Sequence, residues 1–183
     1  KSQEWDKQVA AINKGMALVN GGALKFEGFK KNLIKVYHGL IDAATNLRSA
    51  LLKQACLFIS QLARELGNQF DIMGDFIGPL SAFLGHGTQL IADSCKFTIL
   101  IIAKSVQTKK NLLSILDLCE SRGAVQRAVA AECLSIASSE WPQEVITSKE
   151  SAFKKVVEKL LSDASSETRI YARITVKHLK TMN

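Results

Sequence analysis

The sequence predicts an all-α protein, an α-solenoid of stacked antiparallel helix pairs, on three observations. Apolar residues recur at three- and four-residue spacing along most of the chain, and no stretch alternates at period two. The composition is rich in Ala, Leu, Ile and Lys and holds only 2 Pro among 183 residues, which favours long helices over hairpins. A pattern of small residues also returns at a step of about 39 residues, a period at which helix pairs stack.

The elements follow in order. A first helix spans about Trp5 to Val19, with Val9, Ile12, Met16 and Val19 on one face, Lys7 and Lys14 on the other, and Gly21-Gly22 as its stop. A second is expected from about Phe26 to Ile41. A third starts behind Thr45 or Asn46 as N-cap and runs through Leu51, Cys56, Ile59 and Leu62 to Gly67, antiparallel to the second across a very short turn. Further helices are expected at about Ile72–Leu84, Thr88–Val106, Lys109–Cys119, Ala124–Glu140, Lys149–Leu161 and Glu167–Lys180, with Gly85-His86-Gly87, Ser121-Arg122-Gly123, Trp141-Pro142 and residues 163–166 between them. Pro79 is expected to kink or restart the helix that contains it, because its ring does not fit a helix interior.

Gln54-Ala55-Cys56-Leu57, Asp93-Ser94-Cys95-Lys96, Ala131-Glu132-Cys133-Leu134 and Tyr171-Ala172-Arg173-Ile174 align as equivalent blocks, each in the second helix of a pair. Small residues at matched positions let neighbouring second helices approach closely, and the first helix of each pair covers the other layer, so stacking buries one continuous core. The step lies within reach of the HEAT range. A bundle with evenly spaced loops is the competing reading. The short turns favour the solenoid, since they set Asn46, Thr88, Gly123 and Ser166 at the same corner of successive pairs and give one edge a row of equivalent loops.

The whole chain, 1–183, fits a single domain. Its net charge of +7 and pI near 9.3 point to an acidic partner: nucleic acid, an anionic membrane or an acidic protein surface. Cys56, Cys95, Cys119 and Cys133 are widely spaced within apolar helical patterns and read as reduced core residues of an intracellular protein. The most apolar run, Phe97 to Ala103, is far shorter than the roughly 20 residues that cross a bilayer, so no membrane partner is expected. No phosphate loop, nucleophile elbow or His-Glu-x-x-His helix occurs, so the chain is not expected to be an enzyme or to carry a cofactor. His38, His86 and His178 share no helical face with a cysteine, which argues against a metal site. Few aromatics accompany the lysine clusters, so they read as solvated faces and no nucleic acid is expected as partner.

Asn46-Leu47-Arg48-Ser49 followed by Leu52-Lys53-Gln54-Ala55-Cys56 resembles the second-loop segment of the TOG domains of the CLASP family, of the type D-L-R-S with K-x-A-C behind it. Trp5 before Lys7 resembles the aromatic of the first loop. Ser121-Arg122 with Val125-Gln126-Arg127, and later Glu140-Trp141, resemble the fourth loop and the end of its helix; residues 163–169 with Ala172-Arg173 resemble the fifth. The resemblance covers nearly the whole chain. Two departures stand out: Asn46 replaces the acidic residue, and the third loop, Gly85-His86-Gly87-Thr88-Gln89, lacks a basic one. The family also leads us to expect a sixth repeat beyond the last helix.

The resemblance implies a paddle-shaped, monomeric, non-enzymatic domain. Its loops would hold the tubulin heterodimer or the microtubule lattice, in the cytoplasm on microtubules and the spindle. The implied contacts are Trp5, Asn46, Arg48, Lys53, Gln89, Arg122, Gln126, Arg127, Arg169 and Arg173. The charge agrees in direction, since arginine binds carboxylates bidentately and tryptophan anchors apolar pockets. A HEAT scaffold without tubulin affinity is the alternative. Cations in a helix's first turn oppose its macrodipole, so Arg48, Arg127 and Arg169 read as surface residues and not caps. Lys53, Lys96 and Arg173 lie deeper and have carboxylates of the neighbouring repeat as the competing partners; Trp141 reads as core or a helix-end plug.

Overall fold

The computed structural model describes residues 2–181, and every regular element among them is helical. In chain order the α-helices are α1 (Ser2–Asn20), α2 (Glu27–Leu33), α3 (Tyr37–Ala44), α4 (Ser49–Leu66), α5 (Ile77–Ser81), α6 (Gln89–Ser105), α7 (Lys109–Cys119), α8 (Ala124–Glu140), α9 (Gln143–Thr147), α10 (Glu150–Leu161) and α11 (Ser166–Thr181). The long helices form one layer, with α1 on α4, α4 on α6, α6 on α8 and α8 on α11. A second layer of shorter helices covers them: α3 lies on α4, α5 on α6, α7 on α8 and α10 on α11. The fold is therefore the all-α solenoid that the repeat step predicts.

Small residues make the long-helix layer close. Ala55, Cys56, Cys95, Ala131, Cys133 and Ala172, from the aligned blocks, are all buried. Between α4 and α6 the buried Thr98 hydroxyl accepts a hydrogen bond from Ser60 (3.2 Å) and donates to the Ser94 carbonyl (2.9 Å), so no polar atom there is stranded. Larger side chains such as Ile59, Leu62, Ile99, Leu112, Ile115 and Phe153 fill the space between layers. Each stabilises the fold by roughly 1.5–3 kcal/mol through burial. The bonds from Tyr37 to Asp75 and from Trp141 to Ala103 both span 38 residues, about one repeat, as contact between consecutive pairs requires.

Three boundaries differ from expectation. The helix expected over 26–41 is broken, because α2 gives way to a 3-10 turn at Ile34–Val36 before α3 begins. Two β-branched residues sit in that turn between Gly28 and Gly39, and this weak helical stretch tightens locally. The helix expected over 72–84 is reduced to α5, preceded by a 3-10 segment, Gly67–Ile72. The Asp75 carboxylate starts α5 by accepting from the N–H of Ile77 (3.0 Å) and Gly78 (3.2 Å). Pro79 then stands at its third residue, where no intrahelical donor is missed. Just before it Gly74 has φ 140°, and a Cβ there would meet the Tyr37 ring at 2.5 Å while the Tyr37 hydroxyl donates to the Asp75 carbonyl at 2.6 Å. Only glycine fits that approach. The N-cap of α4 is Arg48, two residues after Asn46.

At the edge where the long helices end, α9 is an unforeseen short helix behind Trp141 and Pro142. Trp141 is buried at the C-cap of α8, and its indole N–H donates to the Ala103 carbonyl near the end of α6 at 2.8 Å. It is the helix-end plug expected of it. Buried Asn111 acts nearby, its amide donating to the Val106 carbonyl at 2.6 Å, while Thr108 caps α7 by accepting from the Asn111 N–H.

Candidate functional site

Because each long helix is reached through a short helix that runs back, the long helices are parallel and their N-termini share one edge. The expected contact residues lie there or within two turns of it. Trp5 is the fourth residue of α1, Arg48 the N-cap of α4, Gln89 the first residue of α6, and Arg127 and Arg169 the fourth residues of α8 and α11. Helix N-termini carry partial positive charge, so the arginines reinforce a field that favours anionic groups.

One device shapes three corners. The Asn46 side chain accepts from the Arg48 N–H (2.9 Å), His86 Nδ1 from the Thr88 N–H (3.0 Å), and the Asp163 carboxylate from the Ser165 N–H (2.8 Å). Each side chain holds the donor two residues on, which turns the chain tightly into the next long helix. The role of Asn46 in this structure is thus to form its corner. Asn46 is partly buried, and the loop it shapes exposes Leu47, at 74% the most exposed large apolar side chain described.

At the N-terminal corner the Arg48 guanidinium lies 5.5 Å from the centroid of the Trp5 ring, a cation–π contact across α1 and α4. Trp5 is partly buried against the core and Arg48 is exposed. Lys53, one turn further along α4, is exposed beside Leu57, Asp93 and Phe97 in a shallow groove between α4 and α6. In the middle corner Gln89 is exposed and donates to Asp93 within α6 at 2.7 Å, and Gln126 reaches the Ser81 carbonyl at 3.3 Å.

The C-terminal corners are pinned. Arg127 pairs with Asp163 in a bidentate contact, Nε to Oδ2 at 2.6 Å and Nη2 to Oδ1 at 3.2 Å, with side chains 17% and 9% exposed. Its Nη1 also donates to the carbonyls of Ser121 and Arg122. Arg169 repeats this grip on the following loop, donating to the carbonyls of Asp163 and Ala164. The hydrogen-bonded Arg127 holds the Asp163 carboxyl below the ordinary carboxylate range against the opposing effect of burial; that hydrogen bond also raises the Arg127 pKa. Arg122 and Arg173 remain exposed.

Lys96 is drawn to carboxylates of the later repeats, Glu132 at 3.1 Å and Glu167 at 3.7 Å. Burial, the largest single influence, lowers the pKa of its ammonium, but the hydrogen bond and charge of Glu132, with Glu167 and Tyr171, together offset this and the net shift is upward. Sequence reasoning missed Asp163 as the anchor of two corners, His86 as a turn former and Leu47 as an exposed tip. The recurrence of a side-chain acceptor two residues before a helix cap was the available signal for the first two. All four cysteines are buried thiols, and burial pushes Cys119 and Cys133 well above the ordinary thiol range. Among the described residues no group of His, Cys, Asp and Glu is arranged to hold a metal ion, and no helix is long and apolar enough to cross a membrane.

The family model described as CLASP N terminal matches residues 1–182. CLIP-associating protein 1-B of Xenopus laevis is 26% identical over 171 residues, covering 93% of this chain and 12% of that protein. CLIP-associated protein of Arabidopsis thaliana is 25% identical over 177 residues, covering 94% of the chain and 12% of that protein. A Dictyostelium discoideum protein is 29% identical over 178 residues, covering 94% and 21%. The chain thus spans less than a quarter of the length of each relative. Among solved structures, a designed armadillo repeat protein in complex with the peptide (KR)4 superposes with a TM-score of 0.50 at 16% identity, over 96% of this chain and 90% of that one, which is a likeness of fold alone. Matched by the family model from end to end of the described helices, the chain belongs to the CLASP N-terminal family and is a TOG-like domain of stacked helix pairs.

Proposed function

We propose that this chain is a non-catalytic, monomeric tubulin- or microtubule-binding domain of a CLASP-like regulator of microtubule dynamics, acting on microtubules and the spindle. The row of long-helix N-termini supports this reading, with the Trp5–Arg48 stack at its open end. Trp5, Arg48, Lys53, Gln89, Arg122 and Arg173 are the direct contacts in this reading. Asn46, Gln126, Arg127 and Arg169 shape the loops that carry them and offer their remaining surface to the partner. An acidic tubulin surface suits the edge by charge, and steering to it is salt-dependent.

The pairing of Arg127 and Arg169 favours a second reading, a HEAT scaffold for another protein, because donors spent inside the fold are not available to a ligand. Size-exclusion with tubulin and microtubule cosedimentation separate the two. Salt-sensitive binding by the wild type, weakened about tenfold or more by Trp5→Ala and by Arg48→Ala with helicity unchanged, is expected for the tubulin-binding edge. No binding by folded wild-type protein leaves the scaffold.

A further inference from the structure

A cleft of about 210 Å3 lies between α4 and α6, formed by the two long helices alone. Its lining is Lys53, Cys56 and Leu57 from α4 and Asp93, Ser94 and Phe97 from α6. These are one-turn steps on each helix, so two parallel stripes wall the cleft. Leu57 and Phe97 leave 37% and 46% of their surface to solvent.

The repeat gives the reason that the face opens here. Leu57 and Lys96 hold the same place in the aligned blocks of consecutive repeats. Lys96 bridges α6 to α8 through Glu132 at 3.1 Å, whereas Leu57 offers α6 no ionic partner and the α4–α6 junction stays open at that level. The polar side chains around the cleft fall into two sets. Asp93, the one carboxylate of the lining, accepts from Gln89 at 2.7 Å, and the Ser94 hydroxyl donates to the Leu90 carbonyl at 2.7 Å, so both are engaged within α6. Lys53 and Arg64, both exposed on α4, make no ion pair among the described residues. The Arg64 guanidinium lies 5.8 Å from the centroid of the Phe97 ring, which sets a second cation against the apolar wall.

We propose that this cleft binds an extended acidic segment of a partner protein, with one large apolar side chain seated on Leu57 and Phe97 and a carboxylate to either side of it, toward Lys53 and toward Arg64. The spacing sets the register. Lys53 and Arg64 are separated by about 16 Å along α4. Alternate residues of an extended chain share a face, so two carboxylates flanking a central apolar residue in the pattern acid-x-apolar-x-acid span about 13 Å, and the long Lys and Arg side chains close the difference. On a helix the same two carboxylates would be only about 6 Å apart, and a helix of about 10 Å diameter is too wide for the cleft. Two unpaired cations against one engaged carboxylate select an acidic segment over a basic one. Neither Trp5 nor Arg48 of the tubulin-binding edge lines the cleft.

Fluorescence anisotropy tests this with a labelled peptide of about ten residues, flanked by prolines that keep it extended and carrying glutamate, leucine and glutamate at alternate central positions. A counterpart with lysine in place of both glutamates, and a helical peptide with the same three residues on one face, are the controls. The extended glutamate peptide is expected to bind saturably, and more weakly as salt rises. Leu57→Ser, at an exposed position, is expected to weaken it about tenfold. Arg64→Glu is expected to weaken it several-fold and to strengthen the lysine peptide. Circular dichroism checks that both variants keep their helices. Trp5→Ala should weaken tubulin binding and leave peptide binding unchanged, so failure at one surface is distinct from failure at the other. Absence of saturable binding, indifference to Leu57→Ser, equal binding of the lysine peptide, or tighter binding of the helical control overturns the proposal.

Discussion

The two ends of the candidate edge use arginine in opposite ways. At the C-terminal end Arg127 is mostly buried, its guanidinium divided between the Asp163 carboxylate and two loop carbonyls. At the N-terminal end Arg48 lies exposed on the Trp5 ring, and its own N–H is held by Asn46. Both residues begin a long helix. What differs is whether the next corner offers a carboxylate within reach: α11 is preceded by Asp163, whereas α6 is preceded by Gly85-His86-Gly87. One end is therefore pinned, and the other leaves a cation exposed on an aromatic ring.

The largest test of this contrast is Arg127→Ala. Breaking a well-buried pair costs about 3–5 kcal/mol, and an exposed pair contributes about 0–1 kcal/mol. A partly exposed bidentate pair with two added carbonyl bonds falls between. We expect a loss of about 2 kcal/mol in urea unfolding, or about 4–8 °C in Tm for a domain of this size. A loss equal to that of Arg48→Ala breaks the comparison.

Acid sharpens it. The folded pKa of Asp163 is depressed, so its stabilisation is present above the unfolded carboxylate pKa of about 3.9 and is lost as pH falls through the lower folded value. In the wild type this adds to the decline of stability below about pH 4. Arg127→Ala removes the first cause of the depression, so its unfolding free energy should fall less steeply over the same range. Equal slopes in wild type and variant would mean that the pair does not control that carboxylate.

How far this division is legible in the sequence depends on distance along the chain. The repeat, the small-residue blocks, the long helices apart from the exact start of α4, and Trp141 as a plug all rest on local spacing, and the structure has them in place. The break at Ile34–Val36 is less visible, since weak propensity signals compete there with an intact apolar pattern. The pairing of Arg127 is not legible at all, because its partner is 36 residues away and the first-turn position alone reads as surface. Asn46 is a similar case. As a departure from an acidic residue it looks like a weakened contact, but its side-chain oxygen makes the same kind of turn that the Asp163 carboxylate makes.

Arg169→Ala comes next in size. Arg169 donates to two neutral carbonyls of its own corner and makes no bidentate carboxylate pair, so its removal costs two charge-assisted bonds partly replaced by water. A loss of about 1 kcal/mol is expected, between the values for the two ends. Native-state hydrogen exchange at Ser165 and Thr168, whose N–H groups are held in that corner, should rise locally without a matching change at α4. A global rise of the Arg127→Ala kind would make the two arginines one unit.

The smallest stability effect belongs to Arg48→Ala. An exposed cation–π contact contributes about 0.5–1 kcal/mol at most, and truncation also relieves a cation at a helix N-terminus, so the net change should stay below about 0.5 kcal/mol. The exposed tip Leu47 extends this reasoning. It is held out by a loop that Asn46 fixes, so Leu47→Ala should leave Tm within about 1 °C, because exposed side chains add little to the fold. If the N-terminal end is the partner-facing one, both variants lower affinity while stability stays flat, and only Arg48→Ala flattens the salt dependence, since only it removes a charge. A loss of stability comparable to Arg127→Ala in either variant would mean that this end too is pinned, and that the edge has no open corner.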